Sequence, residues 1–322
     1  MADILEHPLN DLRDAAELAL TVAAAVEAGV FEELAAGAAT PAELAGRRGL
    51  DARAVRIVLP VLAELRYVEL RDGAYALGPA ARAAGLGRGA GSPVAGALRN
   101  WLATMKDWAR LDEVLRGGPA VPSAGRAVDV AVFMAAMAAA PAERVERVVA
   151  RCLARRPGAR RALDLGGGPG LYAREFVRRG LEATLFDTPE VVAHVREAYG
   201  LRAVPGLTLA AGDFFTDPLP PGPFDVVLLS NITHIYAPAA NRGLFARAGE
   251  VLAPGGVLAV ADMLRGRSPR AARFAVVMLL RTEAGDTYTE DDYRSWLREA
   301  GFRDVEVDDI EPDRQLVTGL RA

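Results

Sequence analysis

The chain holds a single cysteine, Cys152, among 322 residues. That excludes a disulfide framework and suits a reducing cytoplasm. Only three histidines occur, His7, His194 and His234. Scattered as they are, with one cysteine, they cannot build a zinc site of the usual spacing. No basic run exceeds two or three residues and the net charge is −4, so neither the charge nor its distribution favours a polyanion partner. The most apolar windows, near residues 18–26 and 127–142, are too short or interrupted to cross a bilayer. The first charges are mostly acidic (Asp3, Glu6, Asp11, Asp14), unlike a signal peptide. A cytoplasmic protein acting away from membranes is therefore expected. No G-x-S-x-G is present, which argues against an α/β-hydrolase, and there is no kinase-type or P-loop phosphate cradle.

With 51% hydrophobic residues, the length allows two domains. Residues 9–36 read as amphipathic helices. Thr40-Pro41-Ala42-Glu43 is a capping box with proline in the first turn, and Asp51 starts a second helix. "YVELRDGAYAL" then alternates about Asp72-Gly73, a hairpin signal. Helix, helix, hairpin is a winged-helix pattern, placed at residues 1–90. A glycine-rich break (85–93) leads to connecting helices near 94–116 and 127–155, within a segment spanning 91–155. From 156 to 322 short strands alternate with helices: "RALDLGGG", "EATLFD", "LTLAAGD", "FDVVLLS" and "GVLAVAD". Such alternation predicts a Rossmann-like α/β domain with a parallel sheet. The last two strands have no helix between them, so a terminal antiparallel hairpin is expected.

Two features point to chemistry. "DLGGGPG" (164–170) joins a strand to a helix, and glycines there let the backbone approach a ligand. A dinucleotide fingerprint requires glycine at 166, 168 and 171, but 171 is Leu. Asp164 and Asp187 bracket the loop, and Asp187 ends the next strand, where a carboxylate can accept both hydroxyls of a ribose. The second feature is His234, in "LLSNITHIYAP". It follows one strand end, and Asp262 closes another. Ligands of an open α/β sheet bind beyond the carboxyl ends of its strands. A carboxylate on the far ring nitrogen would fix the tautomer and steady an imidazolium. The residues alone leave open a satisfied strand-end histidine and an Asp262 that caps the following loop. His194, by helical spacing, falls on the surface.

These pieces resemble the S-adenosylmethionine-dependent small-molecule O-methyltransferases, the plant caffeate type and its bacterial natural-product relatives. "ALDLGGGPG", "LFDTPEVV", "AAGDFF", "SNITHIYAPAANRGLFARAGEVLAPGGVLAVADM" and "GDTYTEDDYRSWLREAGF" occur in family order over about 160–303. The helical N-terminal region is similar to the family's dimerisation domain. The resemblance implies that Gly166 and its neighbours, Gly168 among them, line the methionine part of S-adenosylmethionine. It implies that Asp187 binds the ribose, and that Asp213 and Phe214 hold the adenine. Ser230 stands where plant members usually carry Lys near the cofactor. His234 stands at the general base and Asp262 at the acidic residue orienting it. A second acidic position of the plant enzymes is Thr287 here, and their "HDWSD" survives only in part, as "HIYAP".

Trp101, Met105 and Trp108 share a helix face, Phe133, Met134 and Met137 make a second cluster, and Met278 lies in "VVMLL". They read either as core or as an apolar pocket for a flat aromatic substrate, where Met makes an adaptable wall. The function expected is methyl transfer to a hydroxyl of a small aromatic secondary metabolite, by a homodimer. The alternatives are C-methylation or a non-methylating reaction on the same fold, and a winged-helix regulator sensing a nucleotide-like ligand. Residues 1–90 hold nine Arg against thirteen Asp and Glu. A DNA-binding module should be basic, so the regulator is disfavoured and no nucleic-acid partner is expected.

Overall fold

A computed structural model describes residues 8–117 and 130–322, which fall into two compact units, up to Lys106 and from Asp107 onward. In the first unit α1 (Pro8–Glu27) and α2 (Val30–Ala36) precede α3 (Pro41–Arg48) and α4 (Ala52–Glu64). Thr40 Oγ1 accepts from Glu43 N, and the Glu43 carboxylate accepts from Thr40 N at 2.8 Å, so α3 starts with both orphan donors satisfied. Asp51 caps α4 by accepting from Ala54 N at 2.7 Å. β1 (Val68–Arg71) and β2 (Ala74–Leu77) then pair antiparallel, Val68 opposite Leu77. Asp72 and Gly73 between them both have positive φ, 49° and 80°, which matches the twist of a two-residue hairpin. Phe31, Leu44, Leu59 and Leu62 make the centre of this unit's core. α5 (Pro79–Ala83) and α6 (Pro93–Trp108) follow, and the last two residues of α6 belong to the second unit.

The second unit opens with α7 (Leu111–Leu115), α8 (Val130–Ala138) and α9 (Ala142–Arg155). Of the expected helix at 127–155, residues 127–129 lie outside the described residues. The remainder is two helices, because Pro141, whose nitrogen has no hydrogen to donate, sits at the start of α9 in an extended conformation. The stretch at 94–116 likewise divides, into α6 and α7.

The sheet is built from β3 (Arg161–Leu165), β4 (Glu182–Asp187), β5 (Leu207–Ala211), β6 (Phe224–Ser230), β7 (Leu252–Asp262), β8 (Phe302–Glu311) and β9 (Arg314–Arg321). Its order is β5-β4-β3-β6-β7-β9-β8. β3 to β7 run parallel, while β9 is antiparallel to both β7 and β8. The Rossmann-like sheet with a terminal antiparallel hairpin is the fold. The helices are α10 (Leu171–Arg178), α11 (Pro189–Ala198), α12 (Pro238–Val251), α13 (Ala271–Arg281) and α14 (Glu290–Glu299). One buried cluster gathers Val148, Cys152, Phe176, Leu185 and Val226; the other gathers Leu163, Val227, Phe245, Trp296 and Val317. Neighbours such as Val226 and Val227 point to opposite clusters, as the period of a strand buried on both faces requires. Strand order reverses between β3 and β6, so the ligand crevice of such a sheet lies beyond their carboxyl ends. The glycine loop, Asp187, Ser230 and Asp262 all occupy that edge. Among the described residues no helix is long and apolar enough to cross a membrane.

Candidate active site

β6 ends at Ser230, and the chain must turn at once. Asn231 makes that turn in the left-handed region, φ 59°, one of the few residue types besides glycine that tolerates it. A single 3-10 turn, Thr233–Ile235, then carries His234. Asn241, fully buried in α12, clamps the turn from below: its Nδ2 donates to Thr233 O at 2.9 Å and to Tyr236 O at 3.2 Å. From the other side Asp286 N donates to His234 O at 3.0 Å. The loop presses so closely there that a Cβ on Gly285 would lie 2.5 Å from His234 O. Glycine at 285 is a condition of this packing.

Asp262, at the end of β7, has no solvent exposure. Its Oδ1 accepts from Met263 N at 2.8 Å, and its Oδ2 accepts from Thr233 Oγ1 at 2.7 Å and from His234 N at 3.3 Å. His234 Nδ1 lies 2.8 Å from Oδ1 and 3.0 Å from Oδ2. Burial opposes the ionised carboxyl, but His234, the Arg314 guanidinium and the Thr233 hydroxyl outweigh it and hold the carboxyl down at about 2. An ionised Asp262 only accepts, so His234 Nδ1 must carry a hydrogen, and the neutral ring is then the tautomer with its lone pair on Nε2. The same logic orients Thr233, which gives its hydrogen to Asp262 and therefore accepts from the Tyr293 hydroxyl 2.6 Å away. The Phe274 ring of α13 meets the imidazole edge-on, centroids 4.8 Å apart at 87°. Thr287 is buried and donates to Ala271 O at 3.2 Å, tying the loop to the start of α13.

The glycine loop lies across the crevice. Gly166 has φ +75° and donates to Phe186 O at 2.8 Å, and a Cβ there would strike Ile232 at 2.3 Å. Asp187 Oδ2 accepts from Gly168 N at 2.9 Å and Oδ1 from Thr188 N at 2.7 Å. These bonds fix the carboxylate at the strand end and leave each oxygen a further lone pair. Burial raises Asp187 above the ordinary carboxylate range, and the two N–H groups oppose that. Asp213 is exposed and accepts from Phe215 N at 2.8 Å. Phe214 is buried, and Phe214, Phe215 and Tyr236 meet edge to face at 4.7–5.9 Å. Tyr236 is raised by burial, then by the negative charges of Asp213 and Asp187. Ser230 is buried, accepts from Asn231 Nδ2 at 3.3 Å and is hydrogen-bonded by Tyr172. A flat ring, a diol and a chain reaching the glycine loop fit this set of apolar wall, carboxylate and open backbone.

The expected pocket residues disperse. Trp101 and Met105 are half-buried in the first unit. Trp108 is half-buried, its Nε1 enclosed without a partner among the described residues. Phe133 is 38% exposed and Met137 half-buried, while Met134 joins the core with its sulfur near Gly168. Met278 is buried on α13, one helical turn from Phe274. His194 is half-buried on α11, its ring 6.0 Å from Tyr199. Sequence reasoning missed Thr233, Asn241, Phe274, Tyr293 and Arg314. Thr233 had a signal, since it adjoins His234. Phe274 had none, because α13 lacks a side-chain cap and was not expected as a helix.

The chain is similar to known proteins. The family model described as an O-methyltransferase domain matches residues 126–303. The 3-hydroxy-5-methyl-1-naphthoate 3-O-methyltransferase of Streptomyces sahachiroi is 33% identical, over 92% of this chain and 89% of its own. The tetracenomycin polyketide synthesis 8-O-methyl transferase of Streptomyces glaucescens is also 33% identical, over 92% and 91%. The crystal structure of human N-acetylserotonin methyltransferase in complex with S-adenosylmethionine superposes with a TM-score of 0.79, at 25% identity, over 99% and 98%.

Asp164, at the foot of the glycine loop, is buried and accepts from Ala173 N at 3.0 Å. Burial raises its carboxyl to about 7, against the pull of that N–H and with a push from Asp187. The folded state thus keeps a proton that the unfolded chain loses near its ordinary value of 3.8. The contribution of this one group to stability falls as pH rises from about 4 to about 7. Asp164→Asn keeps an acceptor for Ala173 N and does not titrate. Its unfolding free energy relative to the parent should climb by on the order of 4 kcal/mol across that window. Urea titrations at pH 4, 5.5 and 7 test this; a constant difference would place the proton elsewhere.

Proposed function

The chain belongs to the O-methyltransferase family and is an S-adenosylmethionine-dependent methyltransferase, and we propose that it methylates a hydroxyl of a small aromatic metabolite with His234 as general base. The observation that carries this reading is the His234–Asp262 pair. A buried carboxylate on Nδ1 leaves a basic Nε2 beside an apolar wall at the ligand edge of the sheet. Two relatives whose names specify aromatic or polyketide hydroxyl methylation support the substrate class.

The cofactor supplies, when bound, a methyl group on positively charged sulfur, already activated for displacement. Gly166 and Gly168 would line its amino-acid part, Asp187 would accept from the ribose hydroxyls, and Phe214 would cover the base, with Asp213 and Ser230 at its margins. The protein's remaining tasks are to align the acceptor oxygen and to take its proton. A phenol loses that proton near pH 10, whereas imidazole accepts one near about 6.5, so position must assist the transfer. Asp262 assists by steadying the imidazolium and holding the ring plane. Phe274 and Met278 on α13 would flank the acceptor, and Trp108, Phe133 and Met137 are proposed as further walls. One cysteine and the acidic balance fit a cytoplasmic enzyme. The first unit exposes Leu12, Leu18, Ile57 and Leu70, which supports its role as a dimerisation surface.

His234→Ala should lower turnover by about 10²–10⁴-fold while cofactor affinity stays at the parent value. A mass-resolved substrate screen on parent and variant checks it. An active variant that keeps the low-pH fall in rate would mean that proximity alone drives transfer, to carbon or to an acidic phenol.

Asp187→Ala should weaken S-adenosylmethionine binding by about 1.5–3 kcal/mol, the loss of charge-assisted acceptors. Calorimetry giving the parent affinity would remove Asp187 from the ribose.

A dimer burying more than about 1,600 Å² should form through residues 1–110. Light scattering that gives a monomer at micromolar concentration would refute it.

A further inference from the structure

Arg314 opens β9, and its side chain is 11% exposed. Its Nη1 donates to Asn231 Oδ1 at 2.6 Å and lies 3.9 Å from Asp262 Oδ1. Its Nε is enclosed with no hydrogen-bond partner among the described residues. An arginine is protonated at every accessible pH, and burying it is costly unless an opposite charge is close. Asp262 is a carboxylate beside it, and register puts it there, because β7 pairs with β9 with Asp262 opposite Gln315.

We infer that Arg314 is a positioning residue of the reaction: its guanidinium, 3.9 Å from Asp262 Oδ1, offsets the charge of that carboxylate and so sets how readily the His234 ring on its other side takes a proton. This rests on the reading of His234 as the base. A carboxylate alone on Nδ1 would draw a proton onto the ring and spend the base before substrate arrives. The other groups facing the pair do not supply the balance. Tyr293 of α14 reaches it through Thr233, and its phenol is driven upward by burial and then by Asp262, so it stays neutral. Tyr288 is likewise pushed up, to about 12, first by burial. Asp286 spends its carboxylate on Arg265 and on Thr287 N. α13 meets the ring with Phe274, which carries no charge. On the far side of Arg314 stands Tyr172 of α10, hydrogen-bonded to Ser230. A continuous polar path therefore runs from Tyr172 through Ser230, Asn231, Arg314 and Asp262 to His234.

The test compares Arg314→Gln, Arg314→Lys and Asn231→Asp in full-length protein by pH–rate profile, and by NMR titration of the His234 ring. Three histidines make that resonance assignable from its loss in His234→Ala. Arg314→Gln removes the cation, so the ring should protonate at higher pH. The acidic limb should move up by about one pH unit or more, a tenfold loss of rate just below it. Arg314→Lys keeps the charge and should keep the limb near its parent place. Asn231→Asp neutralises Arg314 without truncating it and should move limb and ring titration upward, even where Arg314→Gln does not fold. A rate lowered equally at every pH, with the ring titration unmoved in Arg314→Gln or Asn231→Asp, reduces Arg314 to a structural strut and overturns the inference. If instead His234→Ala keeps the acidic limb, the base reading fails, while the ring titration still decides what Arg314 does to His234.

Discussion

A carboxylate with no exposure must be ionised with every oxygen satisfied, or it must be protonated. Asp262 is ionised, and much of the site follows from that. It needs Thr233 as a donor, so Tyr293 has to supply the hydrogen that Thr233 accepts in turn. It needs the backbone N–H groups of His234 and Met263, so the turn after β6 must fold against the end of β7. It needs Nδ1 of His234 as a donor, which leaves Nε2 basic. The fold enforces the meeting, since β6 and β7 are parallel neighbours and their carboxyl ends lie side by side.

That adjacency explains why the sheet and the His–Asp pair could be read from residue order. A short apolar run followed by glycine or a polar residue marks a parallel strand end. Two such ends in consecutive strands face one edge whatever the loops do. Capping boxes at Thr40 and the Asp72-Gly73 hairpin were legible for a similar reason, because each is decided within four residues. Arg314 was not legible. It follows a turn with no chemical signature, and only the antiparallel register of β7 with β9 brings it to Asp262. α13 was missed because its ends carry no capping side chain, so its helicity comes from packing. The aromatic and methionine clusters on α6 and α8 share helix faces, but a shared face does not say what covers it. Phe274, read from no pattern, is the ring against the imidazole.

The position where the plant-type resemblance carries a second acid is Thr287, and the structure gives that residue a different task. Its hydroxyl ties the loop after α13 to Ala271 O, while Asp286 N and Gly285 press on the carbonyls of the His234 turn. The loop thereby holds the turn by backbone contacts, without charge. Threonine at 287 adds no charge, and the charges recorded at Asp262 itself reduce to its own carboxylate and the Arg314 guanidinium.

That reduction bears on how the site works through a turnover. With His234 neutral, Asp262 and Arg314 sum to zero, and a buried site of zero charge avoids the desolvation cost of an unpaired ion. On the proposed reading the ring takes the acceptor's proton, and the site would then be a cation flanked by two groups that attract and repel it in turn. Asp262 at 2.8 Å dominates by proximity, so the imidazolium is stabilised. Arg314, one group further out, limits how firmly the proton is held. A base held too strongly protonated would need a second step to release it before the next acceptor binds. Placing the cation behind the carboxylate would favour a ring that accepts a proton and returns it afterward, and Asn231 and Ser230 continue the polar contacts outward from Arg314.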